Sequence, residues 1–194
     1  MNFKSYDDAT KYIMEECLST YENSDEIKVT ELTLRLMDSP VLNMHCPQHH
    51  FLIPATMLTA AYKAQGRPID MLRDDLIEAM MRAKNILPAF CGLYGSCGAA
   101  VGLGIYSSIL NDSDQYSFHT WALTNRIVGE CLVEIAKVDG PRCCKRNSFI
   151  ALIAGEKFTR DEFGLEIGAT ESIECTHSER NEECKGLECP FFSK

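Results

Sequence analysis

Positive charge is what this chain lacks most: 19 lysines and arginines stand against 28 aspartates and glutamates, a formal net charge of −9. A surface of that sign excludes wrapping nucleic acid or lying on an anionic membrane, since both need basic patches. Arg142, Lys145 and Arg146 make the nearest approach to a basic run, and it is too short to serve. Long apolar runs are missing as well, so no segment is expected to span a bilayer. The opening MNFKSYDDATKYIMEEC is acidic and amphipathic and lacks the apolar stretch of a secretory leader. A cytoplasmic protein with reduced thiols is therefore expected. No P-loop and no glycine-rich dinucleotide motif occurs, and the glycines at 98, 102 and 104 read as allowances for close helix packing rather than phosphate contacts.

Against those absences stand ten cysteines in 194 residues. In a reducing compartment they imply metal ligation or thiol chemistry rather than disulfides. The length suits one domain with a real core. Hydrophobic periodicity predicts a mostly α, multi-helix fold. Helices are expected over 6–21, 27–37 (where a strand fits almost as well), Pro54 to Lys63, 70–86 with Asp70 as N-cap, 98–110, 120–138 and Pro141 to Ala154. Gly155 is expected to stop the last one. The three-proline segment SPVLNMHCPQHHFLIP reads as an irregular loop. Residues 1–168 form the expected helical domain, and 169–194 an irregular cysteine-rich tail packed on it.

Three Cys/His groups fall just before predicted helices or in their first turns: His45-Cys46 with His49-His50, then Cys91 and Cys97, then Cys143-Cys144. The free N–H groups at a helix start favour a thiolate, the form that ligates metals or attacks electrophiles. Arg142, Lys145 and Arg146 are expected to lower the neighbouring thiol pKa values and could hold an anionic substrate. Adjacent side chains diverge, so one of Cys143 and Cys144 is expected as a ligand beside a spectator, unless the pair forms a vicinal disulfide or a soft-metal trap. Cys17 and Cys131 lie on apolar helix faces and read as core. His119 reads as an ordinary helix-start residue.

The tail places Cys175, His177, Cys184 and Cys189 within fifteen polar residues that cannot build a core. Metal binding can order such a segment, and three thiols with a histidine suit zinc, while thiolates also suit an iron–sulfur cluster.

The stretches MHCPQHHFLIPATMLTAA, CGLYGSCGAAVGLGI and GPRCCKR, followed by the ending C-x-H…NEECKGLECP, resemble the DUF5714 family over roughly residues 40–190. The Gly-Ser-Cys-Gly-Ala piece is also similar, over a short span, to the C-GCAxxG-C-C proteins. The DUF5714 resemblance implies a metal or cluster protein of anaerobic bacteria and archaea, a family sometimes joined to methyltransferase-like domains, and thus a methyltransferase or redox enzyme as partner. Three functions follow as expectations. The first is a metal or iron–sulfur protein, holding its centre on Cys46, Cys91, Cys97 and Cys143 or Cys144 with His45, His49 or His50. The second is a transferase- or lyase-type enzyme with Cys97 as nucleophile or ligand, His49 or His50 as base and Arg142 as anion clamp. The third is a soft-metal trap at Cys143-Cys144.

Overall fold

The computed structural model describes residues 6–168 and 172–193. Eight α-helices carry the described chain: α1 (Tyr6–Asn23), α2 (Val29–Asp38), α3 (His49–Gln65), α4 (Ile69–Lys84), α5 (Phe90–Leu93), α6 (Gly98–Leu110), α7 (His119–Ala136) and α8 (Cys144–Phe163). Two short 3₁₀ turns, Ser178–Arg180 and Gly186–Glu188, follow in the tail. Among the described residues there is no named strand, only an isolated bridge between Cys175 and Phe192. No helix among them is long and apolar enough to cross a membrane. The boundary expected at 168/169 falls at residues 169–171, outside the described residues.

Helix α3 is the axis of the fold. Every residue from Phe51 to Tyr62 is buried, and helices α1, α2, α4, α6 and α8 all pack against it. A helix apolar on all sides belongs in the interior. Its two core threonines satisfy their hydroxyls on the preceding turn, Thr56 on Leu52 O at 3.0 Å and Thr59 on Ala55 O at 2.7 Å. Helix α7 closes the far side, packing on α6 and α8.

Four boundaries differ from the sequence reading. Pro54 does not begin α3 but lies inside it. The helix is nucleated earlier, where the amides of His49 and His50 bond to the carbonyls of Cys46 and Pro47 at 3.3 and 2.8 Å. Proline at 54 has no N–H to give the His50 carbonyl, and α6 approaches at that point: a Cβ at Gly102 would lie 3.0 Å from His50 O. Gly155 does not stop α8, which starts at Cys144 rather than Pro141 and runs on to Phe163. A Cβ at Gly155 would lie 2.6 Å from Leu103 and 2.9 Å from Met57, so its role is close packing. The real stop is Gly164, at φ +64°. Asp70 sits in the first turn of α4, whose N-cap is Pro68. The ambiguous segment after Ile27 is the helix α2.

Candidate metal and thiol site

The starts of α3, α6 and α8 meet at one place, and each brings a cysteine. The His50 ring of α3 lies against Gly98, the first residue of α6. Cys97, the N-cap of α6, accepts a hydrogen bond from Asn147 Nδ2 in the first turn of α8 at 3.3 Å. The Cys144 amide donates to His45 Nδ1 at 3.4 Å, which closes the triangle. Cys144 lies within electrostatic reach of both Cys46 and Cys97, and Cys91 within reach of Cys97. Three helix starts far apart in sequence thus bring Cys46, Cys97 and Cys144 into one neighbourhood, with Cys91 at its edge on α5.

The histidines divide. Cys46 Sγ lies 3.2 Å from His49 Nδ1. His49 is only 1% exposed, yet its Nε2 has no hydrogen-bond partner. His50 Nδ1 is likewise buried without one. Both rings are pushed to lower pKa, chiefly by burial, so they stand neutral with a lone pair to give. His45 is already committed at both nitrogens: Nδ1 to the Cys144 amide, and Nε2 to Asn181 Oδ1 at 3.1 Å and Glu183 Oε2 at 3.4 Å.

Helix starts and neighbouring cations do not make thiolates here, contrary to expectation. Burial dominates and pushes Cys46 and Cys97 up, and Cys144 to about 12. The cations still act, Lys145 lowering Cys46 and Arg142 lowering Cys144, but burial outweighs them. Lys145 turns inward and donates to Met37 O at 2.9 Å, and desolvation lowers its own pKa to about 8. Arg146 is buried, with Nη2 on Pro141 O at 2.9 Å. Arg142 is exposed and pairs with Glu183 at 3.3 Å. Cys17 and Cys131 are fully buried core residues, as their spacing suggests.

The tail folds back on the start of α8. Cys143, Cys175, Cys184 and Cys189 all line one small cavity of about 20 Å³. Neighbouring Cys143 and Cys144 therefore face different thiol groups, Cys143 that of the tail and Cys144 that of the helix starts. His177 is 2% exposed; Arg180 donates to its Nδ1 at 2.9 Å, while its Nε2 is buried 3.5 Å from Asp38 Oδ1 with no hydrogen-bond partner. Among the described residues, no three His, Cys, Asp or Glu side chains are grouped closely enough to hold a metal ion as they stand. An open groove of about 430 Å³ between α1 and α2 contains none of these cysteines or histidines.

The profile of the DUF5714 family, described as a family of unknown function, matches residues 13–192. The chain belongs to the DUF5714 family. No curated protein and no solved structure matches it. The DUF5714 match spans both thiol groups, from Cys46 to Cys189. Two asparagines escaped the sequence reading. Asn147 reaches Cys97, and Asn181 reaches both His45 and, through Nδ2 at 3.6 Å, Cys143 Sγ. Asn147 lies four residues beyond Cys143, in the same first turn as Cys144, and that proximity was the available signal. Asn181 had none, because only the folded tail brings it to His45.

Proposed function

We propose that this DUF5714 chain is a metalloprotein whose main centre, iron–sulfur or zinc, is held by Cys46, Cys97 and Cys144, with Cys91 and His49 completing the donor set. The observation that carries this reading is the convergence of three thiols on three abutting helix starts. The donor set fits a soft metal. Thiolates and a neutral imidazole are its preferred ligands, and His49 Nε2 and His50 Nδ1 are buried polar atoms with no other partner. Burial disfavours free thiolates in this neighbourhood; a bound cation stabilises them there. His45 and Asn147 act as positioning residues, the first on the Cys144 amide and the second on Cys97 Sγ.

The centre serves a redox or accessory role toward a partner enzyme in anaerobic metabolism. Its edge supports that role: Leu93 is 73% and Tyr94 62% exposed on the segment that carries Cys91. An apolar rim beside a partly exposed centre suits a docked protein better than a small anion. The anion clamp of the enzyme alternative loses ground, because Arg142 is turned to Glu183.

The test is anaerobic purification followed by elemental analysis and a visible spectrum on one sample. Iron with matching acid-labile sulfide, or zinc, is expected in stoichiometric amount, and lowered in Cys46→Ser, Cys97→Ser and Cys144→Ser variants. Protein that is folded and metal-free after such a preparation, and that takes up neither iron–sulfur nor zinc on reconstitution, removes the reading.

A further inference from the structure

The second thiol group has a composition the sequence did not give. Cys143 comes from the N-cap of α8, while Cys175, Cys184 and Cys189 come from the tail, and Cys175 lies within electrostatic reach of the other three. We infer that Cys143, Cys175, Cys184 and Cys189 form a closed four-sulfur site for a single zinc ion, separate from the helix-start centre.

Four observations carry the inference. The first is the cavity, whose volume of about 20 Å³ holds one small ion and leaves no room for a multi-iron cluster. The second is the N–H groups directed at sulfur: Arg146 N to Cys143 at 3.5 Å, His177 N to Cys175 at 3.4 Å and Gly186 N to Cys184 at 3.4 Å. Asn181 Nδ2 adds a side-chain donor to Cys143 at 3.6 Å. Donors aimed at sulfur favour thiolates over thiols. The turns at Cys175 and Cys184 repeat one design, in which the amide two residues on returns to the sulfur, and Gly186 reaches that position at φ +55°.

The third observation is charge. Four thiolates around a dication leave two negative charges, and the lining supplies Arg146 and Lys185 against the single carboxylate of Glu183. Arg146 Nε is buried with no hydrogen-bond partner, a donor held ready beside the sulfurs. The fourth is that His177, the obvious histidine ligand from sequence and part of the same lining, accepts from Arg180 at Nδ1, which places its ring proton on Nε2 and leaves that nitrogen no lone pair for a metal. Its neighbour Thr176 ties the tail to the end of α2, donating to Asp38 Oδ1 at 2.9 Å. All-sulfur tetrahedral sites are closed and structural when they hold zinc, and binding here draws the four sulfurs inward from where they stand.

This site does not depend on the reading of the main centre, and one experiment separates them. The full chain carrying Cys97→Ser, alone and combined with Cys143→Ser, Cys184→Ser or His177→Ala, is stripped of metal and titrated with cobalt(II), and zinc content is measured on parallel samples. Cys97→Ser, alone and with His177→Ala, is expected to keep one equivalent of tetrahedral, all-sulfur cobalt and one zinc. The combinations with Cys143→Ser and Cys184→Ser are expected to lose both. X-ray absorption on Cys97→Ser loaded with one equivalent of zinc needs no change at the site, and is expected to show four sulfurs at about 2.3 Å. A nitrogen in that shell, or metal lost on adding His177→Ala and kept on adding Cys143→Ser, overturns the assignment in favour of a three-cysteine, one-histidine set. No tetrahedral cobalt in the Cys97→Ser chain overturns the site altogether.

Discussion

Gly98 has no room for a side chain: a Cβ there would fall 2.1 Å from His50 Cδ2. Gly98→Ala therefore has to displace the His50 ring at the first turn of α3, in the middle of the candidate centre. Overpacking of this kind costs about 1–3 kcal/mol, readable as a lower urea midpoint at unchanged slope, and metal content at the main centre is expected to fall with it. Gly92→Ala is the control, since nothing lies within 4 Å of a Cβ there. Equal losses in the two variants would mean that His50 placement is irrelevant. Protonation of the thiols gives a second residue-scale outcome. Burial raises Cys46, Cys97 and Cys144, so metal-free protein at neutral pH holds them as thiols, and they become nucleophilic only as pH climbs through those raised values. Alkylation of each in the folded chain is expected to run more than about tenfold slower than for an unburied cysteine. One cysteine that reacts fast at neutral pH would instead support the thiolate-enzyme alternative.

At the scale of elements, the centre depends on how closely α6 lies on α3. Gly102 sets that approach, because a Cβ would stand 3.0 Å from both His50 O and Pro54 Cδ, neither of which moves freely. Gly102→Ala is expected to push the helices apart and shift Cys97 relative to Cys46, lowering stability by about 1–3 kcal/mol and main-centre metal with it. Gly129 lies on the exposed face of α7 with open space around it. Gly129→Ala should therefore add about 0.5–1 kcal/mol through helix propensity alone. If the two substitutions act alike in thermal or urea unfolding, close packing at Gly102 is not what holds the junction. The same positions explain what the sequence could reveal. Apolar spacing marked α1, α4 and α7 well, because each has a face toward its neighbours and a face toward water; α6, buried almost all round, was marked by the glycine-rich turn before it. Periodicity was weak where the chain is buried all round, so the start of α3 was lost among three prolines. Gly155 looked like a stop because a glycine that ends a helix and one that admits Leu103 and Met57 are the same letter. Likewise the Cys/His groups were visible as junctions before helix starts. Their partition was not, since the divergence of Cys143 from Cys144 is a consequence of where the tail lands.

For the whole molecule, the question is what orders residues 172–193. Their apolar anchors are few: Ile173 and Phe191 are buried, the latter edge-on to Phe149 at a ring distance of 5.2 Å. Each such side chain contributes about 1.5–3 kcal/mol, whereas fixing the backbone costs about 1–2 kcal/mol for every residue. Backbone pairing is also thin, with the Cys175 amide on Phe191 O at 2.7 Å as its main tie to the end of the chain. The zinc ion inferred at Cys143 and the tail cysteines would join the end of the chain to the start of α8. Through Asn181, which touches both Cys143 and His45, it would also bear on the main centre. Removing that metal with a strong chelator should therefore free the tail while leaving the α3 core folded. Hydrogen exchange at the Cys175 and Phe192 amides should rise by orders of magnitude, protease cleavage should concentrate within 172–193, and the amides of Phe51 to Tyr62 should stay protected. A tail that keeps its protection after verified loss of metal would show that protein contacts alone order it. Collapse of α3 together with the tail would instead make the metal part of the global fold. The thin contacts between tail and core favour the separate outcome, in which the main centre's cysteines stay in place but His45 loses the Asn181 partner that fixes its ring.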